Sequence, residues 1–382
     1  MRARRHHRLC HARAPAPVVW ALTVGACTTP AATSDVAPDD LVTDSDVGDA
    51  AMDSAIDARS DARWDGLDAR STDARGHDSA VDVPQVSDVG GPMLLSASGL
   101  YEDFATRRLA PGIVRYVPRF ELWADGAAKD RYLLLPAGTR IDTRDMDQWV
   151  FPVGTRIWKE FRVDGRLVET RLLQKVRDGL DGWWAVAYVW NATGTEAIAE
   201  PLGAEGVGGT MYDVPSQEHC VQCHASGRDF VIGVSAVQLS GPDATAPLAD
   251  FVTRGMLSDP PARMPVIPGD ATVQAALGYL HGNCGHCHND RSYVAGAVAL
   301  RLRLSANDTT PAATDTYRTS IGAVAFHMIG PSTTIVVPGS PDTSQLYVRM
   351  SLRDFDAMPP IASRAVDPAG LAAVRLWINT LP

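Results

Sequence analysis

Two short stretches of this 382-residue chain repeat one pattern of cysteine and histidine. Residues 220–224 and 284–288 both read C-x-x-C-H. In such a pattern the two thiols add to the vinyl groups of a haem, and the following histidine binds the iron. Two residues between the cysteines make about one helical turn, so both sulfurs face the same edge of the macrocycle. The sequence therefore predicts two covalently attached haems c.

The pattern gives each residue of the two motifs a role. The predicted attachment residues are Cys220, Cys223, Cys284 and Cys287, and the predicted iron ligands are His224 and His288. A zinc ribbon and a pair of dithiol motifs are the alternatives. A zinc ribbon separates its cysteine pairs by about 15–20 residues, whereas about 60 residues separate these two pairs. A dithiol motif does not need a histidine directly after each pair.

The sixth iron ligands are sought among methionines, because a thioether sulfur can bind haem iron. Met358 opens a Pro-rich loop about 70 residues after His288, and it is predicted to bind the second haem. The alternative is a methionine packed in the core. Met264 lies in a similar Met-Pro loop and is predicted to bind the first haem. Other ligands stay open for the first haem: Met256, Met211, His281 and His327.

These residues must be positioned by helices. Helices are predicted over residues 248–257, 271–282, 340–350 and 368–380. The second of them has Asp270 as its N-cap and leads directly into Cys284. The last one places its apolar residues on one face, namely Leu371, Val374, Trp377 and Ile378. Residues 213–382 are therefore predicted to form a mainly helical region that carries both motifs.

Residues 92–212 show the alternation of apolar and polar residues that is typical of β-strands. Two alternating runs, 156–163 and 166–173, are joined by Asp-Gly, which predicts a hairpin. Further strands are predicted over 132–135, 149–151 and 183–190. The last of these is rich in aromatic residues, which we interpret as sheet core, with a sugar-binding platform as the alternative. This stretch is predicted to be a small antiparallel β domain.

The N-terminus has the order of an export signal. Residues 1–17 contain five arginines, residues 18–26 are apolar, and Cys27 follows. Nine apolar residues are too few to span a bilayer, and the order is that of a signal peptide. Residues 24–27 also resemble a lipobox, so Cys27 is the predicted lipidation site; an ordinary signal peptide is the alternative. We expect an envelope lipoprotein of the outer membrane that faces the periplasm and has only a lipid anchor in the membrane.

Residues 28–91 are predicted to be a disordered linker. They are rich in Asp and poor in large apolar residues, so they cannot bury enough surface to offset the entropy of ordering. Much of the net charge of −10 lies there. The remaining chain is only mildly acidic, which argues against a nucleic-acid partner. The predicted fold class is multidomain α+β, with a tether, a β domain and a dihaem region.

The stretch from about residue 98 to the C-terminus resembles a family of exported bacterial dihaem c-type cytochromes. Its matching blocks are residues 151–155, 169–173, 188–191, 194–197, 220–224, 283–288, 338–339 and 358–359. Two positions depart from the family pattern: Glu196 where Asp is usual, and His219 where Gln usually precedes the first cysteine. The resemblance covers about three quarters of the chain and implies a redox role, with a dehydrogenase as one possible partner.

Three functions are compatible with this sequence. The first is an electron carrier that passes electrons between a redox partner and an acceptor through two haems. The second is an enzyme, a dihaem peroxidase. The short spacing of the motifs and the shortage of distal acid–base residues count against it. The third is a binding module, in which the β domain recognises a glycan or a partner protein. The carrier is favoured, with no catalytic residues assigned.

Overall fold

A six-stranded sheet is the largest regular element in the computed structural model of the chain, which describes residues 91–241 and 246–382. The strands are β1 Tyr101–Asp103, β2 Arg108–Leu109, β3 Val114–Arg115, β4 Ala128–Leu134, β5 Arg156–Val163, β6 Arg166–Lys175, β7 Trp183–Trp190 and β8 Ala197–Ala199. Strands β3 to β8 form the sheet in chain order, and every neighbouring pair is antiparallel. Strands β1 and β2 form a separate antiparallel pair. The predicted signal peptide, Cys27 and nearly all of the predicted linker lie outside the described residues.

The hairpin of β5 and β6 confirms the prediction from the Asp-Gly pair. Asp164 and Gly165 have φ angles of 49° and 77°, so both central residues are left-handed, as a type I′ turn requires. Val163 pairs with Arg166 directly across this turn. The strand predicted over 183–190 is also confirmed, as β7. The strand predicted over 149–151 was wrong, since the segment forms only an isolated bridge.

Both faces of the sheet are buried. On one face Trp158, Leu172 and Tyr188 pack in a cluster with Leu95 and Leu100. The aromatic residues of β7 are buried too, which confirms their interpretation as core. On the opposite face, Ile157 and Ala185 share a cluster with residues that follow the sheet in the chain, among them Val221, Phe230 and Leu248. The first C-x-x-C-H motif therefore packs against this face of the sheet.

Seven α-helices lie in the described part of the chain. They are α1 Gln217–His224, α2 Ala236–Leu239, α3 Pro247–Thr253, α4 Ala271–Asn283, α5 Asp315–Ser320, α6 Gln345–Ser351 and α7 Pro368–Thr380. The side chain of Asp270 caps α4 by accepting the N–H of Val273 at 3.0 Å, as predicted. Helix α7 has its predicted bounds, with Val374, Trp377 and Ile378 buried.

The other predictions for residues 213–382 are confirmed only in part. The helix predicted over 340–350 begins instead as a 3-10 turn, Pro341–Thr343, before α6. Between Cys284 and Ser344 the only α-helix is α5, with six residues. The region thus combines several helices with long irregular segments, and helix does not dominate it as predicted. Over the described ranges no helix is long and apolar enough to cross a membrane.

A buried ion pair joins the sheet to the loop after α1. Lys175, at the end of β6, donates from Nζ to Asp229 Oδ2 at 2.8 Å, and each side chain is only 1% exposed. Asp229 also accepts the backbone N–H of Phe151 at 2.7 Å and the indole N–H of Trp183. The Lys175 ammonium reaches the carbonyl of Phe151 at 2.9 Å. Both charges are therefore buried and hydrogen-bonded to each other and to neighbouring groups.

Removing one charge of this pair should destabilise the fold strongly. We expect Asp229→Ala to lower the free energy of unfolding by about 3–5 kcal/mol, because a buried lysine charge loses its counter-ion. Chemical denaturation followed by circular dichroism measures this. The matched control is Asp250→Ala, which breaks the exposed pair with Arg254 at 2.7 Å and should cost less than about 1 kcal/mol. Equal losses in the two variants would contradict the prediction.

Candidate functional site

Helix α1 carries the first motif and ends at its histidine. Ser216 caps the helix by accepting the backbone N–H of His219 at 3.4 Å. Gln217 donates its side-chain amide to the carbonyl of Ala185 on β7 at 2.7 Å, which fixes the start of α1 on the sheet. Val221 is buried in the cluster shared with the sheet. The first motif is thus held rigidly against the sheet.

His224 is oriented by a backbone carbonyl. Its Nδ1 lies 2.9 Å from the carbonyl oxygen of Phe230, and the two rings stack with centroids 5.0 Å apart. A carbonyl can only accept, so Nδ1 carries the proton and Nε2 keeps a free lone pair. Burial lowers the pKa of His224 to about 4, so the ring is neutral near pH 7. This is the arrangement that metal-binding histidines usually have.

The carbonyl that orients His224 is itself held by the buried ion pair. Asp229 accepts the backbone N–H of Phe230 at 3.1 Å, while its carboxylate binds Lys175. A chain of contacts therefore runs from β6 through Asp229 and Phe230 to the imidazole. The sequence had given no reason to connect Lys175 with the motif.

The second motif continues from the end of α4, as predicted. The backbone N–H groups of Cys287 and His288 both donate to the carbonyl of Cys284, at 3.0 and 2.8 Å. A Cβ atom added to Gly285 would lie 2.7 Å from the carbonyl of His281 and 3.0 Å from that of Leu302. Only glycine therefore fits at this position of the motif.

The histidine of the second motif lacks such an orienting bond. His288 Nδ1 is buried and has no hydrogen-bond partner in the part of the chain that the structure describes. Burial lowers the pKa of His288 to about 4, although the nearby carbonyl of Leu300 opposes this. Cys284 packs against the cluster of α4, α6 and α7. The second motif is therefore closely packed, and its histidine is less firmly fixed than His224.

The two motifs meet in space. The possible ligand atoms of Cys223, His286 and Cys287 all lie within 4.8 Å of one another. A hydrogen bond from the Cys287 thiol is the main cause that lowers the pKa of Cys223 well below its usual value, and the same bond raises the pKa of Cys287. Burial raises the pKa of Cys220 to about 11 and that of Cys284 to about 12.

Cys223, His286 and Cys287 could also hold a metal ion. A closed structural zinc site has four ligands, and this group has three within the described ranges. His286 Nδ1 is buried without a hydrogen-bond partner there. No role was predicted for His286, although a histidine inside the second motif was a visible signal. The contact between motifs about 60 residues apart had no signal in the sequence.

A large cavity opens beside the first motif. It encloses about 1710 Å³ of empty space, part of it continuous with solvent, and Cys220, Cys223 and His224 line it. Most of the wall is apolar, for example Phe120, Leu122, Trp149, Phe151, Val234 and Leu304. A flat apolar macrocycle joined to the two cysteines fits this combination of an apolar wall with two thiols and a histidine.

The candidate sixth ligands differ in their exposure and in whether they line the cavity of the first motif. No methionine among residues 91–241 and 246–382 lines this cavity. Met264 is 36% exposed, and Met211 is 75% exposed. Met256 is buried in the cluster that includes Val221.

Met358 is half-buried, and the loop it opens reaches the cavity of the first motif. Ile361 and Ala362, shortly after Met358, line that cavity. Of the histidines considered, His327 is exposed, whereas His281 lines the cavity.

His281 is held as a hydrogen-bond donor. Its Nδ1 accepts the backbone N–H of Leu304 at 2.9 Å, so the neutral ring carries its proton on Nε2. Burial lowers the pKa of His281 to about 3, which keeps the ring neutral. A protonated Nε2 cannot bind a metal without losing that proton. His281 is therefore better suited to donate into the cavity than to ligate a metal from this position.

Comparisons with protein-family models, with curated proteins and with solved structures found no match to this chain. The resemblance to dihaem cytochromes therefore rests on the sequence blocks themselves.

The pKa of His281 predicts a pH-dependent contribution to stability. The folded pKa of about 3 lies below the usual 6.5, so the unfolded chain binds a proton first as the pH falls. The stabilisation is complete above about pH 6.5 and is lost towards pH 3, at no more than about 1.4 kcal/mol per pH unit.

The measurement compares the wild type with His281→Gln in denaturant titrations between pH 7 and pH 3. Their difference in unfolding free energy should shift in favour of the variant as the pH falls. His224 and His288 are common to both proteins, so their titration cancels in the difference. Parallel curves for the two proteins would show that His281 is not buried in its neutral form.

Proposed function

We propose that this protein is an exported c-type cytochrome that binds two haems and carries electrons. The observation that carries the proposal is the orientation of His224. Its Nδ1 is bonded to the Phe230 carbonyl, which leaves Nε2 free, and it lines the same large cavity as Cys220 and Cys223. The second attachment site would be Cys284 and Cys287, with His288 as the ligand. Under this proposal residues 213–382 are a cytochrome c-like region.

The residues of the site have separate tasks in this proposal. Each thiol adds across one vinyl group, with sulfur bonding to one carbon and hydrogen passing to the other. A haem held in this way supplies a one-electron iron couple. The Phe230 carbonyl keeps the His224 ring in one orientation, and the apolar wall limits access of water to the cavity. Because Cys223 and Cys287 are neighbours, the two attachment points lie side by side, which suits electron transfer between two centres.

The sixth ligands and the partners belong to the same proposal. Met358 is the proposed ligand of the second haem. Met264 stays the proposed ligand of the first haem, although no methionine of the described residues lines the cavity of Cys220 and Cys223. His281 is less suitable because of its protonated Nε2. The electron donor or acceptor would be a redox protein, possible examples being dehydrogenases.

The haem content of motif variants tests the proposal. We expect two covalent haems per chain by mass spectrometry and by the pyridine haemochrome spectrum. Cys220→Ala/Cys223→Ala and Cys284→Ala/Cys287→Ala should each retain one haem, because each motif attaches one. A matched control is Cys10→Ala, since Cys10 precedes the proposed lipidation site and should not alter haem content.

A protein without haem that holds one equivalent of zinc or iron would overturn the proposal. That result would favour a metal site at Cys223, His286 and Cys287 instead. In the haem-containing protein, loss of the sulfur-to-iron absorption band in Met358→Ala would support the ligand assigned to the second haem. An unchanged spectrum would exclude it.

The proposed location depends on Cys27. If this residue is lipidated, Cys27→Ser should move the protein from the membrane fraction to the soluble periplasmic fraction, because one lipid anchor is the only proposed membrane attachment. Fractionation and immunoblotting measure the change. Continued membrane association of the variant would argue against lipidation at this residue.

An enzyme of the peroxidase type is the second candidate, and His281 favours it. Its Nδ1 accepts from Leu304, so its Nε2 carries the proton, and the ring lines the cavity, where a peroxidase would need a hydrogen-bond donor. The discriminating measurement is peroxide turnover by the haem-loaded wild type and by His281→Gln. Turnover that depends on His281 would favour the enzyme, and absence of turnover in the wild type would favour the carrier.

A further inference from the structure

Three basic residues stand directly opposite one another on neighbouring strands of the sheet. Arg131 on β4 pairs with Lys159 on β5, and Lys159 pairs with Arg171 on β6. Directly paired residues of adjacent strands point to the same face. We call these three residues the cationic row. Like charges in directly opposite positions destabilise a sheet, so the row needs compensation.

The cationic row faces the cavity of the first motif. All three residues line that cavity together with Cys220 and Cys223. Their neighbour Phe161 lies on the same face, with the Lys159 ammonium 4.9 Å and the Arg171 guanidinium 4.4 Å from its ring centroid. The positive charges therefore border the empty space where the proposed haem would be attached.

Carboxylates of the protein neutralise the positive charge of the cationic row only in part. Arg131 donates from Nη2 to Glu121 at 3.0 Å, and Arg171 binds Glu169 through two bonds of 2.5 and 2.9 Å. Lys129, next to the row, lies 3.8 Å from Glu121 as well. Three cations are thus in contact with two carboxylates, and Lys159 is in contact with neither.

Two donors in the row remain free. Among the described residues Lys159 Nζ has no ion-pair or hydrogen-bond partner; burial, and then the neighbouring cations, lower the pKa of Lys159 well below its usual value, and an anion beside it would oppose this. Arg131 Nη1 is buried and has no partner there either. An unsatisfied buried donor costs about 1–3 kcal/mol, and more when it is charged. Both donors belong to residues that line the cavity, so an anion bound there would give them a partner.

The walls restrict what this anion can be. Most of the remaining cavity wall is apolar, and the two cysteines and His224 also line it. A ligand that matches this wall is apolar over most of its surface and carries acidic groups that reach the cationic row. A haem has this form, since its two propionates project from one edge of an apolar macrocycle.

We propose that the cationic row, chiefly Lys159 and Arg131, binds the propionates of the haem attached to Cys220 and Cys223. This inference rests on the proposed function. It gives the sheet a role in the redox centre: a cation beside the propionates disfavours the more positive, oxidised iron. The sheet thereby raises the midpoint potential of the first haem relative to a site without these charges.

The test is a redox titration of the full-length, haem-loaded protein with three variants. Lys159→Gln removes the charge, Lys159→Arg keeps it, and Arg166→Met removes an exposed charge at the turn of the same hairpin. The first haem is identified as the one that Cys220→Ala/Cys223→Ala lacks.

In Lys159→Gln we expect the ratio of oxidised to reduced first haem, at a fixed potential, to rise about tenfold. That change is a shift of about 59 mV to lower potential. Lys159→Arg and Arg166→Met should leave the potential of the first haem nearly unchanged. Two attached haems with unaltered potentials in Lys159→Gln would overturn the inference while leaving the proposed function intact. Absence of haem in the wild type would instead refute the proposed function itself.

A second measurement covers the case in which Lys159→Gln does not fold. Resonance Raman spectra of the wild type and of Lys159→Arg report the bending modes of the haem propionates. A guanidinium in place of an ammonium changes the hydrogen bonds to a carboxylate, so a shift of these modes for the first haem is expected. Identical propionate modes in the two proteins would show that Lys159 does not contact the propionates.

Discussion

The buried ion pair of Lys175 and Asp229 is the interaction on which the candidate site depends. It joins the end of β6 to the loop that follows the first motif, and it also holds the backbone of Phe151 and Phe230. Buried charges are tolerated only when every donor and acceptor finds a partner. The hydrogen bonds of Asp229 to Lys175 and Phe230 hold the loop in place. The Phe230 carbonyl therefore has a fixed position beside His224.

The sheet is therefore more than a neighbour of the motif region. One of its faces is ordinary apolar core, formed by Trp158, Tyr188 and the residues that cover them. The other face shares its core with the segment after α1 and turns three cations towards the cavity. The strand pairs that carry those cations are weaker than they would be with apolar residues. Such a loss of stability is usual where residues are arranged for binding.

The second feature of the candidate site is the contact between the two motifs. Cys223 lies in α1 and Cys287 in the turns that follow α4, yet their sulfurs lie close together. Within the second motif, Gly285 permits the close approach of the backbone of His281 and Leu302, with which any side chain would collide. Two redox centres attached at these cysteines would be near neighbours. A single metal ion would instead be bound by both sulfurs at once.

Local features could be predicted from the sequence. Asp164-Gly165 set the hairpin because both residues tolerate left-handed backbone angles, and Asp270 set the start of α4. The C-x-x-C-H spacing predicted the chemistry proposed for each motif. Each of these signals acts within a few residues. Only the tertiary structure decided that Lys175 supports His224, that Arg131, Lys159 and Arg171 share one cavity, and that the two motifs touch. Those contacts join residues far apart in the chain, through strand register and helix packing, and no short stretch of sequence encodes them.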